Sequence, residues 1–176
     1  MELKKLASKI QLDKSELFML LGLTLLAFIV RMYFLGLQQV IMDDVEYAVL
    51  GKNMISGKGY VGISDIHNTN PLFYPILIAP FYPLMIGIFS LIIKDLELAG
   101  RLVSLMFGVL LVIPVYFLAR NFYNKKVGYI ASIFIVFCSS YVHFSTMVMS
   151  ESTYTFLLIS GIFIAYYALN SFQKYL

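Results

Sequence analysis

The run Met42-Asp43-Asp44-Val45-Glu46-Tyr47 sets three carboxylates directly after an apolar stretch long enough to cross a bilayer. Acids number only ten in this chain, so their concentration at the mouth of a span is costly unless they face water, a cation or a substrate. On a helix Tyr47 neighbours Asp43 at i,i+4 and Asp44 at i,i+3. Such a group can hold one carboxylate as a general base beside a hydroxyl. It can equally be a capping aspartate followed by solvated charges, and the two roles are compatible. Glu151, between Ser150 and Ser152, is a second isolated acid. At a helix N-terminus it is favourable by itself, by roughly 0.3–1 kcal/mol. Otherwise it is a second acid of a site, holding a metal, an acceptor or a phosphate-bound cation.

Basic residues supply the complementary chemistry. Arg31 and Arg101 lie inside apolar segments, where an unpaired charge is costly. Arg31 can snorkel to the interface, and Arg101 can pair with Glu97 at i,i+4. A guanidinium is also the natural clamp for a lipid-linked phosphate, because its fork matches two phosphate oxygens. Lys58 and Lys94 are weaker phosphate candidates. His67 and His143 are too far apart in sequence to argue for a metal. The sequence contains no phosphate-binding Gly-x-x-x-x-Gly-Lys-Ser/Thr loop and no His-Glu-x-x-His pattern. It has no basic, aromatic-interleaved face for nucleic acid either. The single cysteine, Cys138, excludes an internal disulfide and is read as packing or lipid-facing.

The elements that must position these residues are membrane helices. Apolar residues make up 60% of the chain and its mean hydropathy is +0.84, well outside the range of ordinary soluble domains. The reading is all-α: a single integral membrane domain, 1–176, with about four spans. Leu17–Leu37, Leu98–Ala119, Val127–Phe144 and Ser152–Leu169 approach or reach the roughly 20 residues a helical span needs. The first reads as a retained span rather than a signal peptide. Pro71–Ile93 is also apolar, but Pro71, Pro75, Pro80 and Pro83 crowd its first half. Eight of the thirteen basic residues (Lys4, Lys5, Lys9, Lys14, Arg120, Lys125, Lys126, Lys174) fall on one side only if this segment does not cross. Residues 38–97 then form an outer loop with a juxtamembrane or re-entrant element. Both termini, including the tail 1–16, are cytoplasmic, and plasma membrane is the expected location. A five-span arrangement is the runner-up and sorts the charges less well. Within the loop, 44–56 reads as an amphipathic helix capped by Asp43 or Asp44 and ended by Gly57. Val45, Ala48, Val49 and Ile55 would lie on the membrane surface.

Five motifs in this order resemble the N-terminal part of the GT-C glycosyltransferases, in the branch of protein O-mannosyltransferases and lipid A aminoarabinose transferases. They are Asp43-Asp44-Val45-Glu46-Tyr47, Asn70-Pro71-Leu72-Phe73-Tyr74-Pro75, Leu98-Ala99-Gly100-Arg101-Leu102-Val103-Ser104, Pro114-Val115-Tyr116-Phe117-Leu118-Ala119-Arg120 and Met149-Ser150-Glu151. The resemblance implies attack of an acceptor hydroxyl or amine on the anomeric carbon of a polyprenyl-phosphate sugar, with inversion, on the outer face of the membrane. The acceptor would be a protein, lipid or glycan. The general base falls on Asp43 with Asp44 as its companion, and the donor site takes Arg101, Glu151, Tyr47 and Lys58. No metal site is assigned, and a divalent cation stays open as a cofactor.

Two departures from the family pattern stand out. The family's Lys or His before a Pro-Pro pair is replaced here by Asn70-Pro71-Leu72, so Lys58 or Arg101 would have to meet the phosphate. Family enzymes also run to several hundred residues, so further spans or a second subunit are expected to complete the donor pocket. A non-catalytic lipid-binding or assembly subunit with the same fold is the competing reading. A transporter fits less well, since neither midplane charges nor inverted repeats are seen.

Overall fold

A computed structural model describes residues 12–37, 42–63 and 78–172, apart from the side chains of 42, 43 and 170–172. Lys4, Lys5, Lys9, His67, Lys174 and the Asn70–Pro75 motif lie outside the described residues. Those described are helical, without strands: α1 (Lys14–Phe34), α2 (Met42–Ile55), α3 (Phe81–Ser90), α4 (Leu96–Leu110), α5 (Val112–Phe122), α6 (Lys125–Phe137), α7 (Ser139–Phe144) and α8 (Glu151–Phe172). Among the described residues three stretches are long and apolar enough to cross a membrane: Lys14–Phe34, Leu96–Phe122 and Glu151–Leu169. At 1.5 Å per residue α3 is only about 15 Å long, half a bilayer core.

Proline and the loss of backbone partners explain where these helices break. Pro114 has no N–H to return to the Leu110 carbonyl, and its ring crowds that turn, so α4 and α5 are separate helices meeting at Leu111. The expected third span, Val127–Phe144, is not one continuous helix. Cys138 adopts an extended conformation (ψ 115°) and divides it into α6 and the short α7. Pro83, by contrast, sits in the first turn of α3, where no intrahelical N–H is needed.

One core joins α1, α4, α5 and α6 through Leu20, Leu23, Ala27, Leu105, Val112, Tyr116 and Val136. Phe163 of α8 packs onto it against Phe117, and Phe156 of α8 meets Phe107 of a second cluster that includes Tyr82, Ile86 and Val103. The helix ends define two poles. At one, Arg101 on α4 donates to the Leu35 carbonyl just after α1 (2.9 Å) and to Thr146 O between α7 and α8 (2.8 Å). At the other, Glu16 of α1 meets Tyr116 and Arg120 of α5 and Lys125 of α6, while Asn121 meets Tyr167 of α8. The end of α1 and the start of α4 therefore share a pole.

α2 and α3 form a helical pair on the first pole. They approach closely at Gly51 and Gly87. A Cβ at Gly51 would collide with the Pro83 carbonyl oxygen and come within 2.9 Å of the Gly87 nitrogen. This contact corrects the surface-lying picture of α2. Ala48, Leu50 and Gly51 are buried in the protein, Val49 and Ile55 are half-buried, and only Val45 of the expected membrane face is exposed. The helix also begins earlier than expected, at Met42, so Asp43 and Asp44 are first-turn residues rather than the cap. Gly57 ends it in the left-handed conformation (φ 75°) that glycine adopts without a Cβ clash.

Candidate active site

Asp44 follows from the position of α2. On the turn that faces the rest of the protein its residue is only 2% exposed. One turn on, the Tyr47 hydroxyl shares a hydrogen bond with Ser150 Oγ (3.2 Å), and its ring meets Tyr82 edge-on at 5.1 Å between centroids. Tyr82, on α3, is buried and shares a 2.7 Å hydrogen bond with Ser104 of α4. Ser104 in turn donates to Met149 O (3.1 Å). These hydroxyls fasten α2, α3 and α4 to the 145–150 turn that delivers Ser150 and Glu151. Burial, above all, raises the Tyr82 phenol, and Tyr47, Asp44 and Glu151 raise it further; all three lie within electrostatic reach of one ring.

Between these elements is a cavity of about 420 Å³, lined by Tyr47, Phe81, Tyr82, Ser150, Glu151 and Thr153 among others. Glu151 opens α8 as an exposed acid at a helix N-terminus, its own carbonyl accepting from Thr155. Behind α2, residues 57–63 fold back. Asn53 Nδ2 donates to Val61 O (2.6 Å), the Ile63 N–H donates to Glu46 Oε2 (3.3 Å), and the Tyr60 hydroxyl donates to Ile78 O (3.0 Å). Burial, with a smaller contribution from Tyr47, pushes the Tyr60 phenol up to about 12.

The structure brings together some of the sequence candidates and separates others. Tyr47 and Glu151 share the cavity, with Asp44 beside them. The Asp43 side chain lies outside the described residues, although its backbone is in the first turn of α2. Lys58 is on the exposed turn at the far end of α2, eleven residues of helix or about 17 Å of rise from Asp44 to Ile55, and it does not line the cavity.

Arg101 lines a different hollow, of about 290 Å³, with Leu35, Asp95 and Glu97. Its Nε donates to Glu97 Oε1 (2.8 Å), the pair that the i,i+4 spacing allows, and its Nη1 serves the two carbonyls at that pole. Arg31 does not snorkel. It is fully buried and donates to Ala27 O and to Ile135 O (3.2 Å each). The ordinary partner of that second carbonyl, the Ser139 N–H, lies beyond the break at Cys138.

Sequence reasoning missed Tyr82, Ser104 and Thr153, whose types carry no signal inside apolar segments. Among the described residues no group of three or more His, Cys, Asp or Glu is placed to hold a metal ion.

Residues 77–176 match the dolichyl-phosphate-mannose-protein mannosyltransferase family, over more than half of the chain. The match takes in α3 to α8 with Arg101 and Glu151, whereas Asp43, Asp44, Tyr47 and Lys58 precede it. No curated protein and no solved structure matches. An all-helical fold with helices of membrane-spanning length agrees with that match, and the chain belongs to the dolichyl-phosphate-mannose-protein mannosyltransferase family of membrane glycosyltransferases.

Proposed function

We propose that this chain carries the catalytic pole of a glycosyltransferase that moves a sugar from a polyprenyl-phosphate donor to a hydroxyl or amine of a protein, lipid or glycan. The observation that supports this most is the cavity in which α2, bearing the acids, meets Ser150 and Glu151, two motifs about a hundred residues apart in sequence. A carboxylate of the Asp43–Asp44 pair takes the acceptor proton as that oxygen or nitrogen attacks the anomeric carbon from the face opposite the phosphate, which leaves with the bonding pair. Configuration is inverted. A general base contributes roughly 10²–10⁴ in rate. The site faces outward, because the opposite pole gathers Arg120, Lys125 and Lys126, and basic residues favour the cytoplasmic side.

The test is transfer from a short-chain isoprenyl-phosphate mannose by the chain in nanodiscs, comparing Asp43→Asn and Asp44→Asn with wild type. One of the two should lose turnover by about 10²–10⁴ while still binding donor. Wild-type turnover in both variants would sink the reading.

A further inference from the structure

Thr153 occupies the third position of α8, 2% exposed, with a hydroxyl that has no hydrogen-bond partner among the described residues. Threonines in helices ordinarily donate to the carbonyl four residues back, as Thr24 does to Leu20 and Thr155 to Glu151. For Thr153 that carbonyl would belong to Met149, which precedes the helix and instead accepts from Ser104. A buried hydroxyl without a partner is unfavourable, and such groups in native proteins call for a reason. Thr153 is also in the wall of the 420 Å³ cavity, one residue from Tyr154 and two from Glu151.

The rest of the lining decides what that hydroxyl is for. Tyr47, Tyr82, Ser150 and Thr153 carry hydroxyls, those of Tyr47 and Ser150 bonded to each other and that of Tyr82 to Ser104, while Phe81 and Tyr154 offer exposed rings and Glu151 a carboxylate. Among the described lining residues there is no Lys, Arg or His. An anion gains nothing there, beside Glu151 and within reach of Asp44, whereas hydroxyl protons find acceptors and an apolar ring face finds aromatic walls. We infer that this cavity is a sugar subsite distinct from the phosphate position, and that Thr153 is a specificity-determining residue in it, exchanging a hydrogen bond with a ring hydroxyl. Taking the ligand to be a sugar rests on the glycosyl-transfer reading above.

The experiment compares wild type, Thr153→Val (same shape, no hydroxyl) and Thr153→Ser in nanodiscs. Three probes are titrated: isoprenyl-phosphate mannose, the same isoprenyl phosphate without sugar, and methyl mannoside. One hydrogen bond corresponds to a loss of about 3- to 10-fold in affinity. Thr153→Val should show that loss for a mannose-bearing probe and none for the sugarless phosphate, with Thr153→Ser restoring binding. A loss on the lipid-linked sugar assigns the ring to the donor, and a loss on methyl mannoside alone assigns it to the acceptor. Without ligand, Thr153→Val should melt at or above the wild-type temperature, since it removes an unsatisfied hydroxyl. Equal binding of all probes by wild type, an unchanged affinity in Thr153→Val, or a lower ligand-free melting temperature would each overturn the inference. Thr153-dependent sugar binding with no transfer to any acceptor would keep the subsite and remove the glycosyl-transfer reading. Transfer with unaltered Thr153→Val kinetics would do the reverse.

Discussion

Arg101 offers a prediction that separates two roles for one side chain. A phosphate clamp would leave stability alone and raise the donor KM when truncated. The contacts of Arg101 argue for another outcome. Its Nη1 bonds two carbonyls, Leu35 O at 2.9 Å and Thr146 O at 2.8 Å, in surroundings where Thr146 is fully buried and Leu35 nearly so. Arg101→Ala strands both, at about 1–3 kcal/mol per buried unsatisfied group. The bond to Glu97 adds little, because that carboxylate is half exposed and screened. The sum is about 2–6 kcal/mol, which for a chain of this size lowers Tm by roughly 4–24 °C.

Differential scanning fluorimetry in nanodiscs, run with Glu97→Gln as a control worth less than about 1 kcal/mol, reads this directly. The 145–150 turn also presents Ser150 and Glu151, so kcat should fall alongside Tm. Ser104 and Tyr47 still hold that turn, and the variant should remain folded at low temperature. An Arg101→Ala protein that melts within about 1 °C of wild type while its donor KM rises tenfold or more would refute the positioning role and restore the clamp.

Two further outcomes follow from other contacts. Gly51→Ala forces a Cβ against the Pro83 carbonyl and the Gly87 backbone, neither of which can rotate away. It should destabilise by about 1–3 kcal/mol and reduce transfer by shifting Tyr47 relative to Ser150, measured by Tm and turnover together. At the opposite pole the Lys125 ammonium holds Asp13 below the usual carboxylate range, and Asp13 holds Lys125 above the usual amine range. A depressed acid contributes above its unfolded pKa and is lost as pH falls through the folded one. A raised base contributes below its unfolded pKa and is lost as pH rises. The Tm difference between wild type and Lys125→Met should therefore stay level from about pH 5 to about pH 10 and shrink in stronger acid. A difference that changed steadily across neutral pH would contradict this pairing.

What the sequence disclosed follows the range of the physics involved. Span positions depend on local hydropathy, so α1, the α4–α5 pair and α8 were legible from their apolar lengths alone. The end of α2 was legible because Gly57 is a local signal. Its burial was not, because the contact that buries it is between Gly51 and Gly87, and a glycine in an apolar run announces nothing about a backbone thirty-six residues away. The break at Cys138 has no proline or glycine to mark it. Glu16 shows both sides of this limit. Asp13-x-x-Glu16 ahead of an apolar run has the spacing of a capping box, which the structure contains. That the same carboxylate also accepts from Tyr116 at 2.8 Å and pairs with Arg120 at 3.1 Å depends on α1 meeting α5, a hundred residues on. The candidate site divides in the same way: its acids were visible as charges out of place, while Tyr82, Ser104 and Thr153 emerged only from packing.

The two arginines inside apolar segments then have a common cause. Membrane helices that break must find partners for the carbonyls they release, because no water is available at depth to take them. Arg31 supplies one for Ile135 at the α6–α7 break, and Arg101 supplies two at the adjoining pole. A guanidinium suits this work because its donors stay charged and fan out in one plane. Both arginines thus bind scaffold carbonyls. On the proposed reading, recognition in the cavity falls to groups of another kind, the side chains of Tyr47, Ser150, Thr153 and Glu151 that line it, with Asp44 within electrostatic reach. On that reading those groups suit the sugar and the proton the acceptor gives up, and the Arg101→Ala comparison decides whether the phosphate also finds its cation at that pole.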